Sequence, residues 1–370
     1  INPANNQMVG NELVLIEAWC LVYPSHGVGD LQFGPDGSLY VTVGDAASFN
    51  NLDWGQDEPY NADGDPSGGC TCNDPFEEGG ALRSQDLRTS GDPVGYNGAM
   101  IRVNPDTGAA MPNNPLIGGN TDDDRIIAYG LRNPFRFTVD QTTGSIFICD
   151  VGWNQWEEIN YIADPLATPI KNFGWPCYEG AGLMDSYYWS GLPICDALVA
   201  EGTATAPFYT FPHNNAGASV TGATIYEGGN YPAEYIGALF IADYTRKTIS
   251  VMYPYAQGVP DPATIEAFMP HGAAAVDLQV GPNGDLFYVD ITSGTVNHIE
   301  YVGAEPPVAV AEADVTSGPS PLLVQFSALN STNEAGGVLT YGWDFDNDGD
   351  FSDSTDAEPA FSFQSTGNYP

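Results

Sequence analysis

The chain has 370 residues, with 48 acidic side chains against nine basic ones and a formal net charge of −39. That charge excludes nucleic acid and anionic membrane surfaces as partners, and no run of about 18 apolar residues offers a membrane span. With 43 Gly, 29 Pro and short apolar or alternating runs such as Ser38–Val43, Gly144–Cys149 and Asp285–Val289 in place of long helical patterns, the composition points to an all-β protein with one large domain and one small one.

The opening Ile1-Asn-Pro-Ala-Asn-Asn6 is polar and is not a signal peptide, which is compatible with one having been removed. Acidic self-repulsion is relieved by salt, so a saline or calcium-rich exterior suits the chain. Six cysteines, Cys20, Cys70, Cys72, Cys149, Cys177 and Cys195, form an even set that fits an exported protein with disulfides. Cys177–Cys195 is the pairing expected first and Cys20–Cys149 the second. Cys70-Thr-Cys72 lacks the second Cys/His pair that a zinc site needs.

In chain order, residues 26–45 read as two strands joined by a Pro35-Asp36-Gly37 turn, with His26 at the entrance and Asp45 at the exit. Seven of ten residues match between Asp30–Leu39 and Asp277–Leu286, the mark of a radially repeated sheet fold. His26 belongs to the first copy only. A neutral imidazole is the natural general base, and a carboxylate on its other nitrogen fixes the tautomer. A satisfied histidine at a strand start reads equally well from spacing alone.

Hairpin-like units near residues 30–45, 99–109, 126–150, 219–228, 236–253 and 277–301 are expected to be propeller blades, with Ala46–Asn97 an excursion between blades. Tyr129-Gly-Leu-Arg-Asn-Pro-Phe-Arg136 holds two of the few cations, Arg132 and Arg136, suited to a carboxylate partner or a developing oxyanion. An internal salt bridge is the competing reading. In Cys149-Asp-Val-Gly-Trp-Asn-Gln-Trp-Glu-Glu-Ile-Asn160, Gly152 permits close backbone approach, exposed carbonyls there suit calcium, and the tryptophans suit either a sugar platform or the core.

Composition changes at Gly303-Ala-Glu-Pro-Pro307, so residues 1–303 are expected to form the propeller and 304–370 a small β-sandwich that stops before its last strand. The propeller also starts abruptly and is expected to lack its N-terminal part. Asp344, Asp346 and Asp348 stand at positions 1, 3 and 5 of a calcium-loop pattern with Gly349 at 6, but Thr355 replaces the closing Glu. No G-x-S-x-G elbow, dinucleotide fingerprint or P-loop is present.

The ordered set His26-Gly-Val-Gly-Asp-Leu-Gln-Phe-Gly-Pro-Asp-Gly37, Gly44-Asp45, Gly130-Leu-Arg-Asn-Pro134, Asp150-Val-Gly-Trp-Asn154, Glu157-Glu-Ile-Asn160, Asn172-Phe-Gly-Trp-Pro-Cys-Tyr-Glu-Gly180 and Ala242-Asp-Tyr-Thr-Arg246 resembles the soluble glucose/sorbosone dehydrogenase family over residues 20–301. The resemblance implies a six-bladed β-propeller that oxidises an aldose at C1 with pyrroloquinoline quinone (PQQ) and calcium, passing electrons to an external acceptor. It implies His26 as general base, Asp45 as its orienter, and Arg132 and Asn133 beside the reacting carbonyl of the quinone. The carbonyls of Gly152 and Trp153 become calcium ligands, and Arg246, or Lys247, a cation facing the cofactor. The tail, through Tyr341-Gly-Trp-Asp-Phe-Asp346 and its Pro306-Pro-Val-Ala-Val start, resembles an immunoglobulin-like sandwich of the polycystic-kidney-disease (PKD) type, which implies a secreted or cell-surface protein.

One departure stands out. The family's two arginines ahead of the last Asp-Leu segment are replaced by His271-Gly-Ala-Ala-Ala-Val276, which removes charged partners worth about 1.5–3 kcal/mol each. That departure, with the appended sandwich and the acidic surface, favours the alternative of a non-catalytic propeller for carbohydrate binding, surface attachment or assembly. A further alternative is a calcium-dependent lactonase-like hydrolase, whose set of carboxylates and an Asn around one metal cannot be assigned from spacing.

Overall fold

The structure is a computed structural model; it describes residues 9–17, 25–54, 74–75, 77–90, 93–119, 121–255, 258–301, 307–333 and 338–369. The chain divides into two compact units, Ile1–Glu300 and Tyr301–Pro370.

The first unit contains four blade sheets among the described residues. Blade one runs β1 (Val28–Phe33), β2 (Leu39–Val43), β3 (Ala99–Val103) and β4 (Ile126–Tyr129). Blade two opens with β5 (Pro134–Val139), β6 (Ile146–Asp150) and β7 (Trp156–Ile162). An insertion then carries β8 (Lys171–Asn172), β9 (Tyr178–Glu179), β10 (Gly182–Leu183), α1 (Asp185–Tyr188) and α2 (Pro193–Glu201) before β11 (Tyr209–Pro212) closes blade two on β7. Blade three is β12 (Val220–Ile225), β13 (Leu239–Asp243), β14 (Thr248–Met252) and β15 (Glu266–Met269). Blade four is β16 (Ala275–Val280), β17 (Leu286–Asp290) and β18 (Thr295–Ile299). The innermost strands pack in succession, β1 on β5, β5 on β12 and β12 on β16. This is the propeller arrangement that the repeated hairpin predicts.

Two features of the repeat go beyond sequence likeness. Every blade has a bulge at the same place between its first two strands, at Val28/Leu31, Pro134/Arg136, Val220/Gly222 and Ala275/Asp277, which sharpens the local twist. The matched Asp-Leu-Gln triplets also bond alike. Asp30 accepts from Leu31 N and Gln32 Nε2, as Asp277 does from Leu278 N and Gln279 Nε2.

The excursion after Asp45 joins β2 to β3 inside blade one, not one blade to the next, because Val43 pairs directly with Ala99 across it. The insertion after β7 lies within blade two in the same way, and its β8 adds in parallel to β4 of blade one. Gln85 locks that splice with reciprocal bonds to the Asn172 amide, 3.0 and 2.8 Å, and a third to Trp175 O, 2.7 Å.

The Cys177–Cys195 disulfide closes the insertion as expected. Cys149 is a free thiol buried on β6, so the Cys20–Cys149 pairing is not formed: Cys149 is packed with Phe147, Ile159 and Val220 inside the apolar layer between blades two and three. Cys20, Cys70 and Cys72 lie outside the described residues.

The second unit holds one three-stranded antiparallel sheet, β19 (Glu312–Ala313), β20 (Leu322–Ser327) and β21 (Ala360–Phe363). Phe326, Trp343, Phe345, Phe361 and Phe363 form its aromatic core. The second sheet of a sandwich is not formed among the described residues.

Candidate active site

His26 and Asp45 meet where β1 begins and β2 ends. His26 Nδ1 lies 2.7 Å from Asp45 Oδ1, and both residues are buried, at 8% and 1% exposure. The backbone works to bring them together. His26 and Ala46 sit at φ 51° and 52°, a left-handed region that non-glycine residues enter at a cost. Gly44 passes against the His26 backbone where a Cβ would overlap it.

Asp45 is satisfied from several sides. Oδ1 also accepts Ala47 N at 3.0 Å, and Oδ2 accepts Trp175 Nε1 at 2.8 Å. Burial pushes its carboxyl up, but the His26 partnership and the nearby Arg132 charge outweigh that and hold it below the usual carboxylate range. An ionised Asp45 can only accept, so Nδ1 carries the proton of the neutral imidazole. Nε2 is left as a lone-pair acceptor, and it is buried with no hydrogen-bond partner.

Arg132 joins this pair through the backbone, since Asp45 N donates to Arg132 O at 2.8 Å. Its Nη1 donates to the carbonyls of Val151 and Gly152, 2.8 Å each, and its guanidinium lies 5.5 Å from the Trp175 ring and 5.9 Å from the Phe49 ring. Asn133 follows it, and the carboxylate of Asp150 takes both N–H groups, Arg132 N at 3.0 Å and Asn133 N at 2.6 Å. The turn at Gly152 and Trp153 is gripped from the other side by Glu179. A single oxygen of Glu179 accepts the N–H groups of Trp153, Asn154, Gln155 and Trp156 at 2.8–3.2 Å. The Gly152 carbonyl, a predicted calcium ligand, therefore already accepts from Arg132.

Asp150 and Glu158 face each other across β6 and β7. Burial drives both carboxyls up, Asp150 to about 7 and Glu158 well above its ordinary value, with their mutual repulsion adding to the effect at Glu158.

Arg246 is not joined to this group. It donates to the carbonyls of Gly217 and Pro212, lies 3.5 Å from Asp243 and stacks over Phe211. Neighbouring Lys247 adopts φ 58° and its carbonyl takes Ala273 N. Arg136 bonds Gly29 O and Phe135 O and lies 3.9 Å from Asp277, which is the internal pairing weighed against a site role. In the second unit, oxygens of Asp344, Asp346 and Asp353 lie within 4.8 Å of one another. Asp348, predicted with the first two, instead caps Asp350 N at 2.8 Å.

Sequence reasoning missed Trp175, Glu179 and Phe49 as parts of this site. Trp175 and Glu179 lie in the Asn172–Gly180 segment that carried the family resemblance, but their partners are 130 and about 25 residues away and only the β8 splice reveals them.

A family model described as Glucose / Sorbosone dehydrogenase matches residues 79–297, well over half of the chain. Arg132, Asn133, Gly152, Trp153 and Arg246 fall inside that match; His26 and Asp45 precede it. The HIPL2 protein of Arabidopsis thaliana is 28% identical over 228 residues, covering 59% of this chain and 28% of that protein. The aldose sugar dehydrogenase YliI of Escherichia coli (strain K12) is 25% identical over 198 residues, 53% of this chain and 49% of that one. The chain thus spans between about a quarter and a half of the length of these curated relatives. A crystal structure of a glucose dehydrogenase superposes with TM-score 0.50 at 20% identity, over 74% of this chain and 63% of that one, a likeness of fold. The chain belongs to the glucose/sorbosone dehydrogenase family.

Proposed function

We propose that the first unit is a sugar-oxidising oxidoreductase in which His26 is the general base. One observation carries this reading: a buried imidazole whose tautomer is fixed by Asp45 and whose Nε2 has no partner of its own. Such an atom is a base kept ready for a proton that a ligand brings. The sugar's C1 hydroxyl gives its proton to Nε2 while the hydride on C1 leaves, and C1 becomes a carbonyl. Asp45 then steadies the imidazolium, and Trp175 holds Asp45 in place.

The residues fit a quinone cofactor at its reacting end. The Arg132 guanidinium and the side-chain amide of Asn133 are the donors that would hold its carbonyl oxygens, while Nε2, an acceptor, would face the sugar hydroxyl. Calcium at the carbonyls of Gly152 and Trp153 would share the Gly152 oxygen with Arg132 Nη1. PQQ with calcium, when bound, would supply the hydride acceptor, and an external acceptor would take the electrons onward. The Arg246 guanidinium is engaged by the carbonyls of Gly217 and Pro212, by Asp243 and by the Phe211 ring, so the cofactor-facing role that the resemblance gives to Arg246 or Lys247 is no part of this proposal. For the second unit we propose a PKD-type sandwich with a structural calcium at Asp344, Asp346 and Asp348, and Asp353 as a further ligand. The disulfide and the acidic surface favour an extracellular or cell-surface protein.

A non-catalytic propeller for carbohydrate binding, attachment or assembly is favoured by a different observation. Ala273, Ala274 and Ala275 are buried at 0–1% exposure where the resemblance expects two arginines, so two cation partners of a tricarboxylate are missing. The deciding experiment titrates PQQ into purified protein in calcium and follows dye reduction over a panel of aldoses beside His26→Ala. Saturable binding with His26-dependent turnover is expected. Absence of binding at high micromolar quinone, in protein shown to be folded, leaves the binding or assembly reading.

A further inference from the structure

The loop after Asp45 has a fixed course. Asp45 takes Ala47 N, Asp53 takes Ser48 N at 2.9 Å, Asn51 N bonds Ser48 Oγ at 3.2 Å, and Ala46 and Ala47 are each 1% exposed. A loop pinned at both ends gives its tip a defined position, and the tip carries Phe49. Its side chain belongs to no core cluster and is 59% exposed. Yet the ring lies 6.0 Å from the His26 imidazole, tilted at 58°, and 5.9 Å from the Arg132 guanidinium, within cation–π range. The guanidinium thus lies against two rings, Trp175 from the buried side of the site and Phe49 from the exposed side.

The base itself is shut in. His26 Nε2 is out of contact with solvent, and the cavity beside His26, lined by Gly27, Val43, Ala46 and Asn97, holds only about 10 Å³. That is about the room of one water and far short of a sugar or a quinone. A base that is to act must be reached. Among the described residues, Asp45 meets His26 at Nδ1 and Gly44 meets its backbone and Cβ, whereas Phe49 faces the imidazole ring at a 58° tilt and is largely exposed. Swinging the Phe49 χ1 breaks two weak ring contacts and no hydrogen bond.

We propose that Phe49 is the gate residue of the site, covering His26 Nε2 and Arg132 and turning aside to admit a ligand. The ring therefore decides what reaches the base, and the place it vacates, between an imidazole and a guanidinium, suits a flat or ring-shaped ligand. The proposal rests on reading His26 as the reactive group, but its test does not require turnover.

The test is the rate at which diethyl pyrocarbonate carbethoxylates each histidine in quinone-free protein, read by peptide mapping. His213, His271 and His298 serve as internal controls for the fold. A gate that is open in about a tenth of molecules or fewer makes His26 react slowly in the wild type, and Phe49→Ala raises its rate about tenfold or more while the other three are unchanged. Phe49→Trp, which restores a covering ring, returns the rate to the wild-type value. Equal His26 rates in wild type and Phe49→Ala overturn the proposal, as does a rise of all four rates together, which reports unfolding. Gating without any sugar oxidation leaves the gate standing and removes the oxidoreductase reading.

Discussion

Asp45→Asn tests the centre of the site, and its cost can be worked from the hydrogen bonds. In the wild type three donors face one carboxylate: His26 Nδ1 and Ala47 N on Oδ1, and Trp175 Nε1 on Oδ2. Asparagine has one acceptor oxygen and one NH2. If its NH2 takes the Oδ1 place, it confronts Ala47 N–H and forces His26 to surrender the Nδ1 proton. If it takes the Oδ2 place, it confronts Trp175 N–H. Either orientation leaves at least one buried donor against another donor, costing about 1–3 kcal/mol, and weakens the bonds that the negative charge had strengthened. The first orientation also moves the imidazole proton to Nε2, which abolishes the base. We expect a loss of about 2–4 kcal/mol of stability at pH 7 and a fall in turnover on the order of 10²–10⁴.

The pH dependence has a definite sign. The folded-state pKa of Asp45 is depressed, so the stability it contributes is present above the ordinary carboxylate pKa and is lost as pH falls through the folded value. Denaturant melts from pH 7 down to pH 3 should therefore show the gap between wild type and Asp45→Asn narrowing toward the acid end. A gap that is constant over that range, or absent at pH 7, refutes the account of Asp45 as an ionised hub.

Trp175→Phe removes one donor to Asp45 and retains most of the ring; it should cost about 1 kcal/mol and lower turnover while leaving sugar KM nearly unchanged, read by steady-state kinetics and melts. Reducing Cys177–Cys195, which closes 18 residues of sequence, should lower stability by about 3 kcal/mol, measured by denaturation with and without reductant. Asp150 and Glu158 give the opposite pH sign to Asp45. Their folded carboxyls are raised, Asp150 to about 7, so the stability of the protonated pair is full below the ordinary carboxylate range and is lost as pH rises toward neutrality. Melts between pH 5 and 8 in chelator should show that decline, and Glu158→Gln should flatten it relative to wild type.

The repeat was legible because it is written twice in nearly the same letters, at Asp30–Leu39 and Asp277–Leu286, and because turn chemistry is local. The His26–Asp45 pairing was legible for the same reason: both residues bracket one hairpin. Arg132 could be singled out because cations are scarce in this chain. What could not be read is whatever depends on the parallel addition of β8 to β4, since two strand residues leave no periodicity. Trp175 reaches Asp45 only through that splice. Phe49 was invisible for another reason, as a lone apolar residue in a loop is ordinary and its position follows from the Asp45 and Asp53 bonds to Ala47 N and Ser48 N. The placement of the long excursion between blades failed because sequence gives the length of a connection and not which strands it joins.

The site can be understood as an altered blade corner. In three blades an aspartate closes the second strand and turns back to the N–H groups that precede the first. Asp150 takes Arg132 N and Asn133 N, Asp243 takes Ser219 N at 3.1 Å, and Asp290 takes Ala274 N at 3.1 Å. Each fastens the start of its blade to its own hairpin. In blade one the second strand ends at Val43 and the acid comes two residues later, at Asp45. Its partners are then a ring nitrogen of His26 and the indole of Trp175, with Ala47 N the one backbone donor. A two-residue shift thus converts a fastening into an orienting device. The left-handed turns at His26 and Ala46 are where the backbone absorbs the shift, and the neighbouring unaltered corner at Asp150 carries Arg132 to the same place. The His26–Asp45 pair arises in this way on a scaffold whose other corners are structural, without any change in the fold that surrounds it.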